Sequence, residues 1–156
     1  MLRTILYTEH DAAALILRVG LAVVIFPHGA QKLLGWFGGN GFSGTMTFFT
    51  DTMGIPWILA LLVIVAEFFG SLGLLVGLLT RVAAFGIGMV MTGAIFMVHL
   101  QHGFFMNWSG NQAGEGFEYH LLVLAIILAL IVRGAGAWSV DRALTVRRAS
   151  DGAGGA

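Results

Sequence analysis

The sequence predicts an all-α integral membrane protein in which four apolar spans form one helix bundle. Two observations support this prediction. The 156 residues are 58% hydrophobic and only 10% charged, and long apolar segments alternate with glycine-rich connections. The mean hydropathy is +0.89. The formal net charge is zero, so the chain lacks the basic excess of nucleic-acid-binding proteins.

The four predicted spans are residues 12–37, 56–78, 82–103 and 117–132. The last is the shortest, and we expect it to extend at one or both ends. Residues 79–81 form a tight turn, whereas residues 37–55 and 104–116 form longer glycine-rich loops. We expect the first span to stay uncleaved, because Glu9, His10 and Asp11 precede it and no small-residue cleavage site follows a short apolar core.

Arginine placement predicts the topology. Six arginines fall at the two termini or in the tight turn, namely Arg3, Arg81, Arg133, Arg142, Arg147 and Arg148. The positive-inside rule therefore predicts that both termini are cytoplasmic. Three tryptophans lie at the predicted outer boundary and one at the inner boundary, as interfacial anchors: Trp36, Trp57, Trp108 and Trp138. Residues 1–142 are predicted as the membrane domain, and residues 143–156 as a disordered cytoplasmic tail.

Ionisable side chains inside or beside the spans are the main indication of function. There are eight of them: Arg18, His28, Lys32, Glu67, His99, His102, Glu118 and His120. A charge at the bilayer centre costs on the order of 2.5–3.5 kcal/mol even on the most lenient scale, so such groups face a bundle interior, a water pocket or a headgroup boundary. Six are predicted to converge beneath the two long loops, with Glu67 near the midplane and Arg18 deeper on span one.

Two interpretations remain open for the deeper pair. Arg18 and Glu67 form a structural ion pair between spans one and two, or Glu67 is a proton-handling catalytic carboxylate. Nearer the outer loops, His28 and Lys32 lie one turn apart on one face of span one. They suit an anionic or quinone-carbonyl ligand, or they are an interfacial histidine beside a snorkelling lysine.

Metal and haem sites are weaker interpretations of the histidines. His99 and His102 form an i, i+3 pair near the level of His28 and His120, which makes a mononuclear metal or a bis-histidine haem conceivable. A carboxylate-bridged di-iron site is disfavoured, since Glu118-x-His120 places its two side chains on different helix faces. We therefore predict no metal site. The chain has no cysteine, which excludes disulfides and cysteine-ligated iron–sulfur clusters.

An ordered series of motifs runs through the chain from residue 18 to residue 141. The series consists of Arg18, HGAQKL (28–33), WFGGNG (36–41), GIP (54–56), Glu67, GLLTR (77–81), His99, GFF (103–105), FEY (117–119) and WSVD (138–141). In this order and spacing it resembles the DoxX family of small bacterial membrane proteins. The resemblance implies a four-helix membrane bundle linked to quinone-coupled redox and oxidative-stress systems.

The resemblance also bears on the site residues. By position, six polar residues match the family, namely Arg18, His28, Lys32, Glu67, His99 and Glu118; His102 and His120 fit less closely. The leading functional hypothesis is a quinone-interacting component of a redox complex. A quinone headgroup would then bind to His28, Lys32, His99 or Glu118, and Glu67 would accept a proton.

Two other functions remain open. The chain could be a non-catalytic anchor or assembly subunit for soluble redox enzymes, bound through its arginine-rich tail, or a small-molecule transporter working as a homo-oligomer. The sequence leaves the cofactor undecided, with a quinone favoured over haem. It also leaves undecided whether the protein is an enzyme.

Overall fold

The computed structural model describes residues 2–153, with side chains described for residues 4–146, and this part of the chain is helical without strands. Seven α-helices follow one another: α1 Leu2–Leu6, α2 Ala12–Leu34, α3 Gly41–Thr47, α4 Trp57–Val76, α5 Thr80–Ala94, α6 Glu118–Arg133 and α7 Val140–Ala153. The predicted all-α class is confirmed. A π-helical turn at Ile95–His99 and a 3₁₀ turn at Leu100–His102 continue α5.

Three helices are long and apolar enough to cross a membrane: Ala12–Leu34, Trp57–Val76 and Thr80–His102. They match the first three predicted spans within three residues at each end. The fourth, α6, has only 16 residues, about 24 Å at 1.5 Å per residue. Its bounds, Glu118–Arg133, agree with the predicted span of residues 117–132 within one residue. The expected extension amounts to one residue, because the backbone angles of Gly134 (φ 81°, ψ −157°) leave the helical region.

The helices α2, α4, α5 and α6 pack in sequence order, and α6 also contacts α2, which closes the ring. Neighbouring helices run antiparallel: in α2 and α4, for example, Arg18 contacts Leu74 and Gly29 contacts Phe68. The shared core consists of apolar side chains from all four helices, including Leu21, Ile25, Leu74, Ile87, Val123, Ile127 and Leu130. A small residue sets the closest approach: a Cβ at Gly29 of α2 would lie 2.6 Å from the backbone of Phe68 in α4.

Helix α7 runs from Val140 to Ala153. The division at residue 142, with a disordered cytoplasmic tail after it, stays a prediction. Local contacts fix the first turn of α7. The Arg142 backbone N–H donates to the Ser139 hydroxyl at 3.3 Å, which caps the first turn of α7. The Asp141 N–H also donates to the Gly77 carbonyl at 2.9 Å, which ties α7 to the turn between α4 and α5. Residues 154–156 of the predicted tail lie outside the described residues.

Candidate functional site

The two ends of the helix ring differ in chemistry, and we name them by their side chains. The arginine end is where α4 and α6 finish and α5 begins, and it holds Arg18, Arg81 and Arg133. The histidine end is where α2 finishes and α6 begins, and it holds His28, His99 and His120. Most of the predicted site residues lie at the histidine end.

The predicted ion pair between Arg18 and Glu67 is wrong. Glu67 is 3% exposed and pairs instead with Lys32, whose Nζ lies 2.5 Å from Oε2. Lys32 of α2 and Glu67 of α4 lie next to the close approach at Gly29, so the lysine side chain reaches the carboxylate directly. The pair was predicted because Arg18 and Glu67 lie at similar estimated depths along their helices. The Arg18 side chain instead extends toward the arginine end.

Arg18 binds backbone carbonyls rather than a carboxylate. It is 1% exposed. Its guanidinium donates to the carbonyl oxygens of Leu74 and Leu75 at 2.8 and 2.6 Å. The remaining bonds, 2.8–3.1 Å long, go to three carbonyls after α6, those of Ala135, Ala137 and Trp138. The last carbonyls of a helix lack intrahelical partners and carry its negative dipole end, so Arg18 stabilises the end of α4.

A carboxylate complements Arg18 at the start of the next helix. Asp141 is 1% exposed, and its two oxygens accept from the backbone N–H groups of Leu79 and Thr80 at 2.8 and 2.9 Å. Gly77 lies between the two charged groups. A Cβ there would lie 2.4 Å from the Ser139 Cβ. The contacts of Arg18 thus join the end of α4 to the segment after α6, and its partners differ from the predicted one.

Arg81 repeats this arrangement on α6. It donates to the Ile131 and Val132 carbonyls in the last turn of α6, at 2.8 and 3.2 Å. It also donates to the carbonyls of Ile5 and Tyr7 at 3.0 and 2.6 Å. An arginine counted only as a topology signal in the sequence is thus a structural residue that fastens the N-terminal segment to the ring.

The histidine end holds a stacked pair of imidazoles. The rings of His99 and His120 have centroids 4.1 Å apart and are tilted by 41°. His120 is 6% exposed, and its Nδ1 has no hydrogen-bond partner among the described residues. The Nδ1 of His99 is bonded to the Glu115 carbonyl at 2.8 Å. His99 ends the π-helical turn of residues 95–99, a distortion that frequently marks functional sites.

Two further side chains complete this group. The Tyr119 hydroxyl is buried without a hydrogen-bond partner among the described residues, and the Tyr119 ring lies 5.5 Å from the His120 ring between centroids. His28 lies one helical turn before Lys32 on α2, at the same end of the ring. We call this group the polar cluster and define it as His28, Lys32, Glu67, His99, Tyr119 and His120.

The side of the polar cluster at α2 is open. His28 lies seven residues, two helical turns, beyond Leu21 and therefore on the same face of α2. Leu21 is 3% exposed, yet His28 is exposed. The packing that covers Leu21 thus does not continue as far as His28, and the polar cluster is accessible from this side.

Glu118 and His102 do not join the polar cluster. Glu118 accepts a hydrogen bond from the Met106 backbone N–H at 2.9 Å, which fixes the start of the loop before α6. His102 packs under the same loop, since a Cβ at Gly114 would lie 2.5 Å from its Nε2. Both residues were predicted near the site, but their described contacts are with the loop.

Haem and metal geometry can be tested on the stacked rings. Two imidazoles on opposite faces of one iron need ring centres about 6 Å apart, for metal–nitrogen bonds near 2.1 Å. The 4.1 Å between His99 and His120 leaves no room for such an ion. Within residues 4–146, no group of three or more His, Cys, Asp or Glu side chains is placed to hold a metal.

Sequence reasoning did not single out two residues that carry these arrangements. Tyr119 appeared only within the FEY motif and Asp141 only within WSVD. The signal for Tyr119 was a hydroxyl one residue before a histidine at the start of a span. The sequence feature that could have indicated Asp141 was a carboxylate within the arginine-rich C-terminal segment.

Comparison with known proteins gives close agreement in length but little functional detail. The chain is 30% identical to "Inner membrane protein YqjF" of Escherichia coli, over 86% of this chain and 93% of the relative. It is 32% identical to a Bacillus subtilis protein named "Putative oxidoreductase CatD", over 77% and 79%. It is 31% identical to "Uncharacterized membrane protein Rv3486" of Mycobacterium tuberculosis, over 96% and 91%. No solved structure gives a significant match.

A family assignment follows from these matches. The sequence model of the DoxX family matches residues 13–100, which cover α2 to α5 and their connections. This range contains Arg18, Lys32, Glu67 and His99, and the resemblance inferred from the motifs is confirmed. The chain belongs to the DoxX family of membrane proteins.

Proposed function

We propose that this protein crosses a bacterial inner membrane four times, with both termini cytoplasmic, and binds a quinone headgroup at the polar cluster. In this proposal it is a component of a redox or oxidative-stress-response system. The name of the Bacillus subtilis relative, "Putative oxidoreductase CatD", supports the redox part. The contacts of the polar cluster support the quinone part.

The orientation rests on charge placement along the ring. Arg81 and Arg133 lie at the same end as α1 and α7, and the lone basic side chain toward the other end in residues 4–146, besides the histidines, is Lys32. The positive-inside rule then places the arginine end in the cytoplasm. The short α6 fits this orientation, because Arg133 at its last position can extend its charged group into the headgroup region.

The observation that carries the quinone proposal is the pair of buried polar atoms without partners. The Tyr119 hydroxyl and His120 Nδ1 are both buried and unbonded among the described residues. Leaving such a group unsatisfied costs about 1–3 kcal/mol. A ligand that carries oxygen atoms on a flat apolar ring satisfies these atoms and packs against the imidazoles. A quinone headgroup has this chemistry, and its tail can leave through the open side at His28 into lipid.

Glu67 has a separate role in this proposal. Its carboxylate is buried in the middle of α4 and pairs with Lys32. An ionisable group at this depth is a functional candidate in membrane proteins. We propose that Glu67 exchanges protons with the bound headgroup by way of the tyrosine hydroxyl, and that Lys32 holds the carboxylate in position.

Binding of a short-chain ubiquinone to the full chain in nanodiscs tests the proposal. Tyr119→Phe removes one hydroxyl and leaves the ring, so it should weaken binding by about 2- to 10-fold, the worth of one hydrogen bond of about 0.5–1.5 kcal/mol. His28→Ala should weaken binding as well. His10→Ala is the matched control, since His10 is exposed and precedes α2 at the opposite end.

Two results would count against quinone binding. The first is absence of saturable binding by the folded wild-type chain. The second is equal affinity for wild type, Tyr119→Phe and His28→Ala. Either result would favour the alternative in which the chain only anchors soluble redox enzymes through α7 and residues 154–156.

A further inference from the structure

We infer that the polar cluster prefers the reduced, hydroquinone form of its ligand over the quinone form, because His99 is held as a hydrogen-bond acceptor. This inference rests on the proposed quinone site and adds to it a selectivity between redox states. It concerns binding alone and requires no electron transfer by the protein.

The first step is the tautomer of His99. Its Nδ1 lies 2.8 Å from the backbone carbonyl of Glu115. A carbonyl oxygen only accepts hydrogen bonds, so Nδ1 carries the proton of this bond. In the neutral imidazole the second nitrogen, Nε2, then has a lone pair and can only accept. Because the partner is main chain, no side-chain rearrangement at Glu115 reverses this assignment.

The second step is the accessibility of that lone pair. His99 is half-buried, whereas the His120 ring stacked on it is buried. Among the described residues, the hydrogen bond of the His99 ring is made through Nδ1 alone. No described residue forms a hydrogen bond with Nε2, so its lone pair is not used by the protein.

The third step compares two polar groups beside His120, the Tyr119 hydroxyl and the His99 Nε2. The Tyr119 and His99 rings lie 5.5 and 4.1 Å from the His120 ring between centroids, so both are neighbours of one imidazole. In the proposed complex one ligand ring contacts both. The Tyr119 hydroxyl can donate to a ligand oxygen in either redox state. The His99 Nε2 requires a donor, which a hydroquinone hydroxyl supplies and a quinone carbonyl does not.

The preference for hydroquinone over quinone then follows from a missing hydrogen bond at Nε2. A quinone bound in the same position places two acceptors, its carbonyl oxygen and Nε2, against each other. A site built around a hydrogen bond rejects an analogue that cannot form it more strongly than an apolar pocket rejects a change of size. We expect the hydroquinone to bind about tenfold more tightly than the quinone.

Paired titrations test this inference with the full chain in nanodiscs at pH 8. Ubiquinol-1, kept reduced under anaerobic conditions, is compared with ubiquinone-1 for wild type and three variants. His99→Gln should bring the affinity ratio close to one, because an amide can turn to accept or to donate. Tyr119→Phe should weaken both forms and keep the ratio, and His10→Gln should change neither.

A nitrogen NMR spectrum of the histidine-labelled chain provides a readout independent of binding. The His99 resonances are assigned as those that disappear in His99→Gln. In the wild type they should show a protonated Nδ1 and an unprotonated Nε2. Equal binding of both redox forms, tighter binding of the quinone, or the opposite tautomer would overturn this inference and leave the proposed function standing. If neither form binds, the proposed function fails, and this inference fails with it.

Discussion

The Lys32 ammonium lies 2.5 Å from the Glu67 carboxylate and joins α2 to α4 at the level of the polar cluster. The side chain of Glu67 is 4% exposed and that of Lys32 is 23% exposed, so the lysine keeps part of its solvation. The attraction therefore offsets a smaller desolvation cost than in a fully buried pair. This contact makes Glu67 part of the α2–α4 interface as well as of the proposed site.

Removing one member of this pair should destabilise the fold more than removing both. Glu67→Gln leaves the lysine charge without its partner, which costs about 3–5 kcal/mol in fully buried pairs and roughly 2–3 kcal/mol here after a discount for the exposed lysine. The double variant Glu67→Gln/Lys32→Met removes both charges and should recover most of that loss. Thermal unfolding in one detergent measures both variants, and a double variant no more stable than Glu67→Gln would contradict the pairing.

Arg18 should tolerate no replacement, including lysine. Its five hydrogen bonds use all three guanidinium nitrogens, and an ammonium has three donors on one atom. We expect Arg18→Lys to lower the free energy of unfolding by roughly 2–3 kcal/mol, since buried carbonyls lose their donors. Arg133→Lys is the control, because the Arg133 side chain is 61% exposed and should change stability little.

An unfolding midpoint for Arg18→Lys equal to that of Arg133→Lys would show that the carbonyl bonds contribute nothing measurable. An intermediate result for Arg81→Lys is expected, because Arg81 makes four such bonds and part of its side chain is exposed.

Two glycines of α2 should respond oppositely to alanine. At Gly29 a new Cβ would lie 2.6 Å from the Phe68 backbone, so Gly29→Ala must push α4 away and should destabilise the fold by several kcal/mol. At Gly20 nothing lies within 4 Å of the added carbon. Gly20→Ala should leave stability unchanged or raise it by up to about 1 kcal/mol through helix propensity. Similar unfolding midpoints for the two variants would contradict the close approach.

Asp11 gives an acid-dependent contribution to stability. It caps α2 through the backbone N–H groups of Ala13 and Ala14, at 2.9 and 3.3 Å. The hydrogen bond from Arg133, followed by that from Ala14, lowers the pKa of the Asp11 carboxyl below its usual value. A lowered folded-state pKa means that the stabilisation is present above the unfolded-state pKa, about 3.9, and is lost as the pH falls through the folded-state pKa.

The stability difference between wild type and Asp11→Asn should therefore be constant above about pH 5 and shrink below about pH 4. Unfolding midpoints measured from pH 3 to pH 7 check this expectation. Asp51→Asn serves as the comparison, because Asp51 is exposed in the connection between α3 and α4. A difference that grows on acidification would mean that the Arg133 contact does not form.

The helices were predictable because bilayer-length apolar segments leave few alternatives. The predicted end of the fourth span, residue 132, lies one residue from the observed end of α6. The longer extension that we expected is absent because the helix stops at the backbone of Gly134, although residues 134–137 remain small and apolar. The helix at Val140–Ala153 was missed because its cap is one serine hydroxyl. Sequence patterns predict the length and polarity of a segment, but they do not predict single hydrogen bonds.

The site was partly predictable. Depth along the spans grouped His28, Lys32, His99 and His120 at one end, as the structure does. The partner of Glu67 was assigned wrongly, because helix depth does not specify toward which end a long arginine side chain extends. The contact between His99 and His120 depends on the π-helical turn of residues 95–99, and an ideal helix drawn from sequence does not contain that turn.

The amount of quinone that co-purifies with the protein from native membranes tests the central claim most directly. Nanodiscs that hold wild type, His10→Ala or Tyr119→Phe are extracted, and quinone per protein is compared with quinone per lipid in the parent membrane. Quinone binding at the polar cluster predicts enrichment with wild type and His10→Ala, and severalfold less with Tyr119→Phe. A wild-type ratio no higher than that of the bulk lipid, or equal enrichment in Tyr119→Phe, would contradict it.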